Sequence, residues 1–239
     1  MAGSEVHAPV LLSLRVAALA VAIVFAAGVA AARLMAGRDF PGKDAVDAVF
    51  TLPLVLPPTV VGFGLLFLFG KQGPLGRLLD SWWGVSVVFH WWGAVIASAV
   101  VAFPLLYQTV RASFQAVDRN LENAARTLGA GEWRVFWSVS LPLAWPGLAA
   151  GVVLAFARAL GEFGATLMVA GNIPGRTQTV PLAIYAAAES GDNRTALVLV
   201  GMMTLLSFTV IFWVNRWSKR RLKRWMPDEA ELPRQKSSK

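Results

Sequence analysis

The sequence predicts an all-α integral membrane protein with about five transmembrane helices, and three observations support this fold class. Of the 239 residues, 56% are hydrophobic and only 15% are charged, whereas a soluble domain carries about 25% charged residues. The mean hydropathy is +0.57. A membrane-spanning helix needs about 20 mostly apolar residues. Five stretches qualify, at roughly 10–33, 47–70, 84–109, 143–165 and 195–216.

The composition also excludes several classes of function. The chain has no cysteine, which rules out disulfides, a thiol nucleophile and thiolate metal ligands. Its two histidines, His7 and His90, are too far apart for a local metal motif. The spans hold no cluster of His, Asp, Glu and Ser such as a membrane-embedded enzyme would need, so we predict no catalytic residues and no metal site. The net charge of +8 reflects basic residues at the ends of spans, and no nucleic-acid partner is expected.

The distribution of lysine and arginine predicts the orientation, because cytoplasmic connections are enriched in these residues. Sixteen of the 22 lie in the 33–47 loop, the 111–134 loop and the C-terminal tail, which we therefore place in the cytoplasm. The N-terminus is then outside and the C-terminus inside. A cleaved leader over residues 1–32 is the rival interpretation. It would put the arginine-rich 111–134 loop outside, against the charge bias.

The first and last spans have clear ends. The first has a charge-free core over residues 16–32, and the last ends in tryptophan followed by the basic run KRRLKR, which is typical of an interfacial stop.

The second span contains a proline pair deep in its apolar run. Pro57 and Pro58 in LPLVLPPTVVG must interrupt backbone hydrogen bonding, and such a break survives only beside protein or a water-lined cavity. With Gly62 and Gly64 nearby, the span either lines a pathway or is a kinked helix in a packed bundle. Thr59 follows the prolines and is a candidate hydrogen-bonding group for a transported solute.

A polar segment separates the third and fourth spans. In DRNLENAARTLGAG, Asp118 or Asn120 can cap a short helix that Gly129 ends. A second short helix can follow, from 132 to about 139. The first helix either docks on another protein, which its small Ala124 and Ala125 would permit, or lies on the membrane surface as an amphipathic helix.

A charged pair lies late in the fourth span. Arg158 and Glu162 are four residues apart, which places them on one face of a continuous helix. Ionisable groups in a span are costly and are usually paired or directed toward a pathway. The pair is either a structural ion pair near the outer interface or part of a pathway. The loop NIPGRTQT after it is predicted to lie outside.

The segment ENAARTLGAGEWRVFWSVSLP resembles the cytoplasmic signature of the permease subunits of binding-protein-dependent ABC importers. That signature reads EAA, three residues, G, nine residues, I, one residue, LP. The glutamate position holds Asn123, with Glu122 just before it. The matching positions are Ala124, Ala125, Gly129, Val139 (for isoleucine), Leu141 and Pro142.

The resemblance implies that the 118–142 loop forms a coupling helix that docks in a groove of an ATP-binding subunit. Leu141 and Pro142 would then pass its motion into the fourth span. It further implies a permease domain over 10–216, a basic cytoplasmic tail over 217–239, and a multi-pass inner-membrane location. The chain has no nucleotide-binding loop. It would therefore be no enzyme and bind no cofactor, with ATP and Mg on the partner subunit. Further partners implied are an oxyanion-binding protein, membrane lipid and a second copy of the chain.

Four further stretches resemble the molybdate branch of these permeases: ARLMAGRDFPGK, LPLVLPPTVVG, GEFGAT and AGNIPGRTQTVPLAIY. The resemblance implies molybdate as the substrate, with tungstate accepted because the two oxyanions have nearly the same size and charge. A sulfate or thiosulfate permease of the same architecture is the alternative. A secondary transporter driven by an ion gradient is a third possibility, although it predicts inverted repeats that are not visible. The candidate pathway residues are Pro57, Pro58, Thr59, Arg158 and Glu162.

Overall fold

A computed structural model describes residues 2–37 and 39–225, and every regular element within them is helical. The helices are α1 (Ala2–Ala36), α2 (Lys43–Val55), α3 (Pro58–Phe69), α4 (Pro74–Trp83), α5 (Trp91–Gln115), α6 (Arg119–Thr127), α7 (Glu132–Val135), α8 (Leu141–Leu160), α9 (Gly164–Ala170), α10 (Val180–Glu189) and α11 (Asn193–Trp225). A π-helical segment, Phe136–Ser140, joins α7 to α8.

The prediction of about five membrane-spanning segments is confirmed. Within the described residues, four helical stretches are long and apolar enough to span a bilayer, and the bent pair α2–α3 makes a fifth. The four are His7–Ala36, Trp91–Gln115, Glu132–Leu160 and Asn193–Trp213. Helix α11 continues past the predicted domain boundary at 216, and the rest of the predicted basic tail, 226–239, lies outside the described residues.

Helices α1, α5 and α8 form the centre of the bundle. Their contact surfaces are built largely from alanine, glycine and valine, which let helix backbones approach closely in lipid. A Cβ atom at Gly28 of α1 would lie 2.6 Å from Cδ2 of Leu106 in α5, so this crossing depends on the absence of a side chain. Leu106 and Leu148 are fully buried between these helices.

The second predicted span is broken rather than continuous. Helix α3 leaves α2 at 114°, with Leu56 and Pro57 in extended conformations between them. The interruption expected at Pro57 and Pro58 is confirmed, since neither has an N–H to continue the first helix. Helix α2 packs on α5, whereas α3 packs on α9.

The third span begins later than predicted. The predicted start at 84 is wrong because Gly84 adopts a left-handed conformation (φ +63°) that ends the extra helix α4. An irregular segment then leads to His90, whose imidazole accepts a hydrogen bond from the Trp92 N–H and caps α5. The apolar residues of this segment gave the same hydropathy signal as a helix.

The fourth span differs from the prediction at both ends. Residues 132–160 form one continuous helical stretch, so there is no separate short helix and no fresh start at Leu141-Pro142. The π-helical segment lies just before Pro142, where the missing N–H already removes a regular α-helical bond. The stretch ends at Leu160 instead of 165.

Candidate coupling surface and translocation region

Helix α6 has the ends that its sequence predicts. The Asp118 carboxylate accepts a hydrogen bond from the Asn120 N–H at 2.8 Å, which makes Asp118 the N-cap. At the other end, Gly129 adopts φ +85° just after the C-cap Leu128 and turns the chain away. The helix is therefore a short, sharply bounded unit between α5 and α7.

One face of α6 is apolar and open. Leu121, Ala124, Ala125 and Leu128 have the i, i+3, i+4, i+7 spacing that places them on one side of a helix. Leu121 is 49% exposed and Leu128 is 89% exposed, Ala124 is exposed and Ala125 is half-buried. Trp133 and Trp137 beyond the turn are also exposed. We call Leu121, Ala124, Ala125 and the C-cap residue Leu128 the α6 apolar face.

Glu122 points elsewhere, into the protein, and is the one α6 residue that is buried. Its Oε1 atom accepts hydrogen bonds from the Arg33 guanidinium at 3.2 Å and from the Ser140 hydroxyl at 2.5 Å. The Nη2 atom of Arg126, one turn along α6, lies 3.6 Å from Oε2 of Glu122. Burial acts to raise the pKa of the Glu122 carboxyl, but these donors and positive charges together hold that pKa below its usual value.

Asn123, in the glutamate position of the signature, is exposed. Its side-chain oxygen accepts a hydrogen bond from Arg126 Nη1 at 2.8 Å. Arg126 also donates to both carboxylate oxygens of Glu132 across the turn. The outward amide at 123 and the inward acid at 122 therefore occupy different environments. Glu122 is used within the chain and does not stand in for an outward acid.

Leu141 and Pro142 lie inside the helical stretch Glu132–Leu160 and not at its start. Leu141 is half-buried against the central core, and Pro142 is exposed. The structure thus separates them from the α6 apolar face and places them at the first turn of α8 after the π-helical segment. Ser140, which precedes them, is the residue of this region that contacts Glu122 directly.

The candidate pathway residues in span 2 lie where two helices begin. Pro57, Pro58 and Thr59 form the exposed start of α3. A Cβ atom at Gly164, the first residue of α9, would lie 3.1 Å from Cβ of Pro58. The amino-terminal ends of α3 and α9 are therefore neighbours, and both carry the partial positive charge of a helix start.

Arg158 and Glu162 form an ion pair at 2.7 Å, but not on one helix as the sequence suggested. Helix α8 ends at Leu160, so Glu162 lies beyond it in the connection to α9. There its Oε1 atom accepts a hydrogen bond from the Ala165 N–H at 2.8 Å. The Glu162 side chain is 1% exposed and that of Arg158 is 29% exposed. Glu162 thus links α8 to the start of α9, close to the start of α3.

Asp47 belongs to a partly buried polar contact that the sequence analysis missed. Asp47 of α2 forms an ion pair with Arg111 and accepts a hydrogen bond from the hydroxyl of the fully buried Tyr107 at 2.6 Å. Both partners are in α5, so this contact fixes the first half of the broken span to the bundle. An acid at the start of an apolar run could have indicated it, because such residues are usually paired.

The structure thus defines a multi-span helical membrane protein in which a short helix between two spans exposes an apolar face. The chain belongs to the family described as binding-protein-dependent transport system inner membrane component, whose model matches residues 16–224.

Similar proteins agree with this family. The chain is 49% identical over 216 residues to the putative molybdenum transport system permease protein YvgM of Bacillus subtilis (strain 168), covering 90% of this chain and 95% of that one. It is 46% identical over 217 residues to the molybdenum transport system permease protein ModB of Escherichia coli (strain K12), with coverage of 89% and 94%. The sulfate transport system permease protein CysW of Synechococcus elongatus is 38% identical over 186 residues, with coverage of 77% and 65%.

The fold also matches solved structures. The inward-facing MetNI methionine ABC transporter contains a chain that superposes with a TM-score of 0.71, at 16% sequence identity, covering 90% of this chain and 95% of that one. At this identity the likeness concerns the fold alone.

Proposed function

We propose that this chain is the membrane permease subunit of an ATP-driven importer that translocates molybdate, and tungstate with it, across the inner membrane. The chain works as a homodimer. A separate ATPase subunit binds ATP and Mg, and an oxyanion-binding protein delivers the substrate. The observation that carries this proposal is the open α6 apolar face on a helix whose other side is fixed to the protein.

The docking role follows from the shape of α6. A short helix with an exposed apolar stripe fits a groove in a partner, which is a recurrent mode of recognition. Ala124 allows a close approach there, while Gly129 sets the direction of the chain after the helix. Asn123 lies beside the stripe and offers an amide where the signature has a carboxylate.

The substrate assignment depends on the relatives, since those with the higher identities are molybdenum permeases and the sulfate permease is more distant. The chemistry of the pathway is compatible with a dianion that is passed on and not held. Arg158 is balanced by Glu162, so this region offers little net charge to trap an oxyanion. The exposed start of α3 supplies a weaker, dipolar attraction, whereas the start of α9 is already capped by the Glu162 carboxylate.

Thr59 is the polar side chain at the start of α3 and could hydrogen-bond a passing oxyanion. Replacing it with valine, which has the same shape without the hydroxyl, tests this role. The matched control is Thr51→Val, because Thr51 donates its hydroxyl to the Asp47 carbonyl of its own helix. A slower molybdate uptake in T59V than in T51V is expected. Equal rates would remove Thr59 from the pathway.

The main experiment is ATP-dependent molybdate uptake into proteoliposomes that contain this chain, its ATPase subunit and its binding protein. Sulfate in large excess serves as competitor. Uptake that resists sulfate supports the molybdate assignment. Uptake that sulfate abolishes would make the chain a sulfate permease, and uptake without ATP would favour a gradient-driven transporter.

Docking on α6 has its own test. Ala124→Arg places a long charged side chain on the α6 apolar face and should abolish co-purification of the ATPase subunit. Gln72→Arg adds the same side chain at an exposed site in the connection predicted to be outside, and should leave the complex intact. Loss of the complex in both variants, or in neither, would contradict docking at α6.

The orientation can be tested directly because the natural chain has no cysteine. Asp39→Cys should react with a membrane-impermeant thiol reagent only after cells are opened, whereas Gln72→Cys should react in intact spheroplasts. The opposite pattern would overturn the arrangement with the N-terminus outside and the C-terminus inside.

A further inference from the structure

Glu122 sits at a junction of three elements: α6, α1 and the π-helical segment. Its partner Arg33 lies in the last turn of α1, and Ser140 is the final residue of the π-helical segment. Both bind the same oxygen, Oε1. A single carboxylate atom therefore joins α6, α1 and the entrance to α8.

The Arg33 side of this junction is itself held in place. The guanidinium carbon of Arg33 lies 5.7 Å from the ring centroids of both Phe114 and Phe136. These rings belong to α5 and to the π-helical segment, and this distance is within the range of cation–π attraction. Arg33 is therefore held in one position relative to α1, α5 and the π-helical segment, so a displacement of Glu122 acts on these elements together.

Ser140 provides the route into the membrane. It is completely buried, and the helical stretch continues from it without a break through α8 to Arg158, whose partner Glu162 lies in the connection to α9. A π-helical turn is often found at functional sites and is less regular than the α-helix on either side of it. A pull on Ser140 therefore acts at the least regular point of this stretch.

We propose that Glu122 is a positioning residue that transmits movement of α6 to α1 and α8, and that it takes no part in binding the ATPase subunit. This proposal rests on the proposed function, since it needs a partner that moves α6. The two surfaces of α6 then have separate tasks. The α6 apolar face binds the partner, and the Glu122 junction passes the displacement on.

The test measures two quantities on the reconstituted importer with its ATPase subunit and binding protein: molybdate taken up per ATP hydrolysed, and the affinity of the ATPase subunit for the permease. Glu122→Gln keeps the shape and an acceptor for Ser140 but removes the charge that holds Arg33. We expect uptake per ATP to fall about tenfold, a size typical of the loss of one coupling contact, while the affinity changes less than about twofold. Glu122→Asp keeps the charge and should restore part of the uptake.

The matched control is Asp39→Asn, which removes a carboxylate from the connection between α1 and α2. Asp39 is 99% exposed in its side chain and forms a surface ion pair with Lys43, so uptake per ATP should stay as in the wild type. A fall in affinity for E122Q, or an unchanged ratio of uptake to ATP, would overturn the proposal. If the wild type shows no ATP-dependent uptake, it is the proposed function that fails.

If E122Q folds poorly because Arg33 is left without a partner, the double variant E122Q/R33Q serves as a control, since it removes both charges of this pair. If Glu122 acts through Arg33, the double variant should lose about as much uptake per ATP as E122Q alone or R33Q alone. Losses that multiply would show that the two residues act independently and would refute the junction.

Discussion

Gly62 and Gly64 are two positions apart in α3 and meet very different surroundings. A Cβ atom at Gly62 would lie 2.9 Å from both the Cα of Ala165 and the Cβ of Met168, while nothing lies within 4 Å of the corresponding position at Gly64. Ala165 is fully buried in α9, and its Cα cannot retreat unless the helix moves. We expect Gly62→Ala to loosen the contact between α3 and α9, and Gly64→Ala to leave it intact.

The magnitude follows from two opposing effects. Replacing glycine with alanine inside a helix stabilises it by roughly 0.5–1 kcal/mol, and this gain is common to both variants. Forcing an extra methyl group into a packed contact costs about 1–3 kcal/mol, and only G62A has this cost. The difference between the variants is therefore about 1–3 kcal/mol. For a chain of this size that corresponds to a difference in unfolding midpoint of roughly 2–12 °C.

Thermal unfolding of the purified variants in the same detergent, followed by far-UV circular dichroism at one scan rate, measures this difference. The comparison between variants removes the effect of detergent on the absolute midpoint. Molybdate uptake should fall with G62A, because the α3 start moves away from α9. Equal midpoints, or a higher midpoint for G62A, would refute the close α3–α9 contact and the argument built on it.

Three further predictions concern other parts of the chain. Gly129→Ala forces a side chain into a left-handed conformation at a cost of about 1–2 kcal/mol. Its unfolding midpoint should therefore fall below that of the control Gly131→Ala, because Gly131 has φ −67° and open space around it. Equal midpoints would contradict this. Tyr107→Phe removes the hydrogen bond to Asp47 and should lower the free energy of unfolding by roughly 1–2 kcal/mol. Asp47→Asn should lower the free energy of unfolding less in the Y107F background than in the wild type. Additive losses in the double variant would argue against the pairing. The lowered pKa of Glu122 means that its carboxylate stabilises the fold above its ordinary pKa of 4.5 and loses this effect as the pH falls through the lower folded value. The difference in midpoint between wild type and E122Q should therefore be constant from about pH 7 to 5 and shrink below pH 4.5, and a difference that grows on acidification would refute the assignment.

Local features of the structure could be predicted because their causes are local. The N-cap of α6 needs only a short side chain at Asp118, and its end needs only a glycine at 129. The break in span 2 followed from two prolines without N–H groups. The number of spans followed from the lengths of the apolar runs.

Other features depend on partners that the sequence does not reveal. The inward direction of Glu122 is set by Arg33, 89 positions earlier, and by Ser140, 18 positions later. The angle of 114° between α2 and α3 is set by what each half packs against, which no proline pattern specifies. The late start of α5 escaped prediction because the apolar residues after Gly84 are as hydrophobic in an irregular segment as in a helix.

The break between α2 and α3 determines what kind of movement the bundle can make at low cost. The nitrogens of Pro57 and Pro58 carry no hydrogen, so a change of ψ at Leu56 or Pro57, within the extended range open to a residue before proline, ruptures no helical hydrogen bond. Helix α2 remains bound to α5 through Asp47, while α3 travels with α9. The resistance to such a rotation is then a matter of surface contact and not of helix unfolding. Small changes in the angle between α2 and α3 therefore add no unpaired backbone group in a bilayer that penalises each one.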